Sequence, residues 1–373
     1  MGVARAGLTR FIGERRRPAR LEELAERRPH LGTGVMPAEL LEMQRRSTLL
    51  VAGGERRPNV AVTKTDDAGG HTAKWRIDIT LQEEQRTVVP LLKAVRAEPD
   101  VYRSGMDEAV GYSGHRPEWI DMFYFPRGLS QHGHPMMRRR NGRSVRPLWV
   151  FGPDDRRLYR DTSYPWGCIG SIASSAGGGS GSGVLVGRNM VATAGHLVPW
   201  DGGWMKFVPD DYLAQGSLYG ANVYSYALEA RGYNTNQHVA GYDWAILKLD
   251  QPLGDMIGYM GYNSYSDDWQ DLNIWTVVGY PSGAGPMWQG SISINDDDGD
   301  SNDGQELESE TADVTGGNSG GPIFAWWGDD PRIIGIVSGE ETEYVFPVSS
   351  HQDNVFAGGQ GLYNLIAWGR SNW

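Results

Sequence analysis

From residue 150 onward the apolar positions come in short runs: Val184-Leu185-Val186, Met190-Val191-Ala192, Trp244-Ala245-Ile246-Leu247, Trp275-Thr276-Val277-Val278 and Ile333-Ile334-Gly335-Ile336-Val337. Clusters of Gly, Asn, Asp and Ser separate them. Short runs with turn-forming spacers predict many strands in a sandwich or barrel. Only residues 361–368 read as a helix there. The first 150 residues are patterned differently. Residues 14–30 set Leu21, Leu24 and Ala25 among Arg and Glu, which predicts a short amphipathic helix. Residues 36–43 predict a second, with Pro37 in its first turn. Residues 75–81 alternate with period two, as a half-buried strand does. Residues 86–97 are read as helical around Leu91, Leu92 and Val95. Gly, Pro and basic residues over 132–143 read as a surface linker; His132 and His134 there lack neighbouring ligands and read as plain loop rather than metal site. The chain divides into a mixed α/β region, 1–149, and a mainly β region, 150–373, with no internal repeat.

Charge follows the same division. The chain of 373 residues carries a net charge of −11. Residues 1–150 hold 26 Lys and Arg against 18 Asp and Glu, and the remainder holds 9 against 28. Opposite signs would let the two regions attract each other. An acidic second region argues against nucleic acid, since phosphate affinity needs basic surface. No apolar stretch is long enough for a membrane span. The one cysteine, Cys168, excludes an intramolecular disulfide and cysteine-cluster metal sites. The N-terminus lacks the apolar core of a secretory signal, so the protein stays inside, leaves by another route, or has a different natural start.

The candidate chemistry gathers around Thr315-Gly316-Gly317-Asn318-Ser319-Gly320-Gly321-Pro322. A glycine-flanked serine is commonest as a turn before a strand. The alternative is a nucleophile whose loop aims the N–H groups of Gly317 and Ser319 at one point, as an oxyanion hole requires. A base is then needed. Three histidines follow residue 150, and His238 and His351 lie in polar, loop-like surroundings. His196 ends the small-residue turn Thr193-Ala194-Gly195. A carboxylate must orient it, and Asp243 opens the apolar strand 244–249, a costly place for an unpaired acid. The chain order His196, Asp243, Ser319 is that of a chymotrypsin-type triad.

These three segments resemble the trypsin-like serine peptidases, and more narrowly the bacterial branch that includes the V8-type glutamyl endopeptidases. The resemblance spans residues 150–373, beginning with Val150-Phe151-Gly152-Pro153-Asp154-Asp155-Arg156, which is similar to that branch's mature start. It implies two antiparallel six-stranded β-barrels with a C-terminal helix and a cleft between them. It also implies Ser319 as nucleophile, His196 as base and acid, Asp243 as its orienter, Gly317 and Ser319 as oxyanion-hole donors, a polypeptide substrate, secretion, and chemistry without metal or organic cofactor.

Two departures bear on function. Asn318 stands where trypsin has the aspartate that pairs with a freed N-terminus, so that pair is not expected. Val314 and Val337 stand where the glutamyl endopeptidases place the Thr and His that read glutamate, and valines cannot hydrogen-bond a carboxylate. Asp313 either lines the specificity pocket and favours basic residues or is a satisfied turn aspartate, which leaves a small or apolar preference as the alternative. Ser338, Gly339 and Glu340 complete the expected substrate-binding edge. The acidic stretch 295–304 departs from calcium-loop spacing and reads as a solvated acidic loop. Residues 1–149 are expected to be a propeptide or inhibitory module released near residues 138–146. The alternatives are a partner-recruiting region of an intracellular protease, or a silent protease fold used for binding.

Overall fold

The computed structural model describes residues 17–45, 56–65, 74–83, 89–103, 111–124, 128–129, 139–140, 143–144, 150–176, 179–236, 238–281, 285–345 and 349–373. Six antiparallel strands form a closed barrel: β1 (Ile169–Ser174), β2 (Ser180–Gly187), β3 (Met190–Thr193), β4 (Met205–Pro209), β5 (Ser225–Gly232) and β6 (Ala245–Leu249). Their order is β4-β1-β2-β3-β6-β5, and pairing of Lys206 with Tyr226 and Phe207 with Ser225 closes the ring. The rest of the β5 edge, Glu229–Gly232, is covered by the strand Lys93–Arg96. The buried runs of β2 and β3 are the apolar triplets of the sequence: Val184, Leu185, Val191 and Ala192 are all fully inaccessible.

A second, mostly antiparallel sheet contains β7 (Trp275–Gly279), β8 (Met287–Ile292), β9 (Asp296–Asp300), β10 (Gly304–Ser309), β11 (Pro322–Trp327), β12 (Asp330–Val345) and β13 (Ser349–Gly358). Its order is β9-β10-β13-β12-β11-β7-β8, continued beyond β8 by short strands at 157–159 and 128–129. Among the described residues no strand pair closes it. Instead the backbone bond from Asn295 N–H to Glu308 C=O, and side-chain bonds from Gln289 and to Thr311, span that side. The C-terminal helix α1 (Gly359–Asn372) packs Leu362, Leu365 and Ile366 into the core. At the centre, Trp166 lies 5.9 Å from the rings of both Trp288 and Phe324.

Two expectations are corrected. Residues 86–97 are not helical where described: Lys93–Arg96 is a strand running parallel to β5. Its apolar residues do not share one helical face, because Leu91 is 81% exposed whereas Leu92 is 6% exposed. The acidic stretch is not a loop either. Asp296–Asp300 pairs in register with Gly304–Ser309, from Asp296 opposite Glu308 to Asp300 opposite Gly304. Asn302 and Asp303 make the reversal at positive φ, a conformation that Asn and Asp tolerate better than most side chains.

Both short N-terminal helices form, at Leu21–Ala25 and Ala38–Arg45. The strand expected at 75–81 lies within Lys74–Glu83, which pairs with Arg56–Thr65 as a hairpin in a compact unit of its own, residues 45–89. The His132–His134 stretch lies outside the described residues. Leu24, Leu40, Leu92, Tyr102, Ile120 and Met122 are buried in the same cluster as the barrel core. The ion pairs nearby, Arg27–Asp329 at 2.8 Å and Lys93–Glu229 at 3.5 Å, are largely exposed on at least one side. Pairs of that kind contribute little, so apolar burial outweighs the charge asymmetry here.

Leu24 and Leu40 are each fully buried. Truncating either to Ala is expected to destabilise the peptidase core itself by about 2–5 kcal/mol. Urea unfolding followed by tryptophan fluorescence checks this: a separate N-terminal module would leave the main transition unmoved.

Candidate active site

His196 sits in the turn after β3, inside the short helix Gly195–Leu197, and Asp243 stands two residues before β6. Antiparallel pairing of β3 with β6, Thr193 opposite Ala245, places these two strand ends side by side. The Asp243 carboxylate is fully buried. It accepts from His196 Nδ1 at 2.7 Å, His196 backbone N–H at 2.9 Å, Thr235 Oγ1 at 3.1 Å and Ser338 Oγ at 2.7 Å. A buried anion is tolerable when its lone pairs are this well occupied. A carboxylate only accepts, so Nδ1 carries the hydrogen and Nε2 keeps its lone pair as an acceptor.

Ser319 lies on the loop that enters β11. Its carbonyl accepts from Ser182 N–H at 2.7 Å, and Ser182 Oγ donates to the Gly317 carbonyl at 2.7 Å. Gly320 shows why small residues flank the serine. A Cβ there would lie 2.3 Å from Thr193 Oγ1 and 2.8 Å from Ala194 N, so the loop packs directly against the turn leading to His196. Gly317 adopts φ +101°, which L side chains rarely reach. Among the described residues, no acceptor takes the backbone N–H of Gly317 or Ser319. The Ser319 hydroxyl makes no hydrogen bond to His196 here; such contacts are commonly long without substrate.

The expected substrate-binding edge separates into parts. Val314 and Val337 are fully buried in an apolar cluster with Ile323, Ile334 and Phe356. Ser338 turns its hydroxyl to Asp243 rather than outward. Gly339 lies against Val239, and Glu340 is partly buried, which raises its pKa. Asp313 is buried and accepts the N–H groups of Phe151 at 2.8 Å and Asp155 at 3.3 Å. This favours the turn-aspartate alternative. Burial pushes its pKa up to about 6 in spite of those two donors. His238 stays exposed on its loop.

Several contributors carry no signal in the sequence. Thr235 and Ser182 are single hydroxyls in unremarkable contexts. Arg156 is buried and reaches Thr315 Oγ1 and Asn318 Oδ1 on the serine loop, at 2.8 and 3.2 Å. The acidic hairpin participates as well. Gly241 N–H, two residues before Asp243, donates to Asp300 Oδ2 at 2.9 Å and Glu306 Oε1 at 3.1 Å. Glu306, Glu308 and Glu341 bring carboxylate oxygens within 4.8 Å of one another.

A closed six-strand barrel beside a second β-sheet, bearing a buried Asp–His pair and a glycine-flanked serine, defines a serine-hydrolase scaffold. A family model described as Trypsin matches residues 157–346, and the chain belongs to the trypsin family. It is a serine endopeptidase, a hydrolase acting on polypeptides. It is 31% identical over 231 residues to a glutamyl endopeptidase of Bacillus licheniformis, covering 60% of this chain and 69% of that protein. It is 27% identical over 210 residues to a protein of Bacillus subtilis named an extracellular metalloprotease, covering 54% of this chain and 65% of that one. Among solved structures, a Glu endopeptidase in complex with MPD matches with 18% identity and a TM-score of 0.46, over 60% of this chain and all of that one. A second, titled as an atomic-resolution structure of HBP, matches with 16% identity and a TM-score of 0.42, over 59% and 97%.

Burial, then neighbouring carboxylates, raises the pKa values of Glu306 and Glu308 from 4.5 to about 7. Between those values the folded state holds more protons than the unfolded one, so stability falls as pH rises through that window and levels off above it. Wild-type Tm is expected to drop between pH 5 and pH 8 by more than that of the Glu306→Gln/Glu308→Gln variant. Equal drops in a calorimetric pH series would remove the role of this cluster.

Proposed function

We propose that the endopeptidase works through His196, Asp243 and Ser319 by way of an acyl-enzyme. The observation that carries this reading is the fourfold-bonded Asp243, which fixes the His196 ring beside a serine loop with two unpaired N–H groups. Ser319 Oγ attacks the scissile carbonyl carbon while its proton passes to His196 Nε2. The carbonyl oxygen, now an alkoxide, is held by the N–H groups of Gly317 and Ser319. The intermediate collapses, the C–N bond breaks, and His196 returns the proton to the leaving amine. Water then attacks the ester by the same route, releasing the acid and restoring Ser319.

The glutamyl preference in the first relative's name does not carry over readily, because Val314 and Val337 offer no hydrogen bond to a carboxylate. Asp313 is already engaged by two backbone amides. The pocket reading these residues support is a small or apolar P1 side chain. The name of the Bacillus subtilis relative and the resemblance to secreted bacterial enzymes support an extracellular site of action. The burial of Leu24, Leu40 and Tyr102 with the peptidase core supports docking of the segments around these residues on the peptidase region. N-terminal sequencing of the active species tests whether docking ends in release: full activity in the uncut chain would reject a propeptide.

Removal of the nucleophile in Ser319→Ala is expected to lower kcat by about 10⁶, and Asp243→Asn by about 10⁴. A peptide-library cleavage profile of wild type beside Ser319→Ala reports activity and P1 preference together. An organophosphonate should label Ser319 and abolish turnover, whereas EDTA should leave it unchanged. Loss of activity with EDTA and an unlabelled serine would sink the triad mechanism.

A further inference from the structure

Two adjacent glycines, Gly316 and Gly317, leave the peptide between them free to rotate unless something outside the turn holds it. The Thr315 turn is closed by Asn318 N–H donating to the Thr315 carbonyl at 2.9 Å. Asn318 Oδ1 accepts back from Thr315 N–H at 3.1 Å. That oxygen also takes the guanidinium of Arg156. The Arg156 side chain is only 1% exposed. Its planar fork is divided between two tasks. Nε and Nη2 bind both oxygens of Asp154, at 2.9 and 2.7 Å, and this balances the buried charge. Nη1 is thereby aimed at the serine loop, where it donates to Thr315 Oγ1 at 2.8 Å and Asn318 Oδ1 at 3.2 Å. The same segment engages the start of the loop, through the Phe151 and Asp155 N–H groups on Asp313.

We propose that Arg156 is a positioning residue for catalysis: it clamps the Thr315–Asn318 turn so that the Gly317 and Ser319 N–H groups point at the developing oxyanion. The clamp is a side chain of the uncut chain bound to a neutral amide, so it requires no newly freed amine. This rests on the triad reading above and goes beyond it by naming what sets the oxyanion geometry. Lysine cannot replace the fork, because a single ammonium cannot bind Asp154 at two points and still bridge Thr315 and Asn318.

The test is steady-state kinetics on a peptide substrate with wild type, Arg156→Ala, Arg156→Lys, Asn318→Leu and the Arg156→Ala/Asn318→Leu double variant. Losing the aim of one oxyanion donor is expected to lower kcat of Arg156→Ala by about 10²-fold, with KM within about threefold and the pH profile in place. Millimolar guanidinium should restore at least about tenfold of that loss by refilling the vacated fork, and Arg156→Lys should fall between. The double variant should be no slower than the slower single variant, because both changes open one clamp. A kcat for Arg156→Ala within twofold of wild type overturns the proposal. So does a loss that follows the folded fraction and ignores guanidinium. If Arg156→Ala does not fold, Asn318→Leu decides, with an unchanged kcat counting against the clamp. Phosphonate labelling of wild-type Ser319 separates the two readings. An unlabelled, inactive wild type defeats the triad mechanism, whereas a labelled, active wild type matched by Arg156→Ala defeats only the clamp.

Discussion

The structure depends on one buried carboxylate. Asp243 has no access to solvent, and an ion in that position must find its hydrogen bonds inside the protein. Its four donors come from three chain segments: the turn after β3, the loop at Thr235, and Ser338 on β12 of the second sheet. The acid therefore does more than orient a histidine. It joins the closed barrel to the second sheet. Thr235 and Ser338 supply two of the four hydrogen bonds independently of His196.

The serine loop is fastened by the same logic applied to backbone. Ser182 on β2 gives its N–H to the Ser319 carbonyl and its hydroxyl to the Gly317 carbonyl, while accepting the N–H of Tyr280 at 2.8 Å. One barrel residue thus binds the carbonyls on both sides of Asn318. Among the described residues, no acceptor takes the N–H groups of Gly317 and Ser319. Gly320 provides the close approach that makes the arrangement fit, and any side chain there would strike Thr193 and Ala194.

The parts of the site that could be read from the sequence are those that contradict their surroundings. An acid opening an apolar strand, a histidine ending a small-residue turn, and a serine among glycines each break a local expectation, and together they carry the triad reading proposed above. The barrel strands were legible for a related reason, since short apolar runs between turn residues have few other uses. Arg156, Ser182 and Thr235 break no local rule, and Arg156 meets Asn318 across 162 positions of sequence. Only the fold reveals such pairings. The strand at 93–96 was misread because a window containing Leu91, Leu92 and Val95 fits a helix as well as a strand. The deciding fact is an available edge on β5, which lies outside any local window. The acidic hairpin hid behind aspartate's poor strand propensity. Its pairing is imposed by β10, itself held on β13.

That hairpin completes the argument about Asp243. Burial, and then the repulsion of neighbouring carboxylates, makes such a cluster costly and raises the pKa values of Glu306 and Glu308. Here Asp300 and Glu306 both accept the Gly241 N–H, and Gly304 lies against the Gly241 carbonyl so closely that a Cβ would clash at 2.7 Å. The segment running from Gly241 to Asp243 is thereby pinned at one end by the acidic hairpin and at the other by the entry into β6. The Gly241 N–H offsets part of the burial penalty on Glu306, so the contact that eases the acidic cluster also holds the segment leading to Asp243.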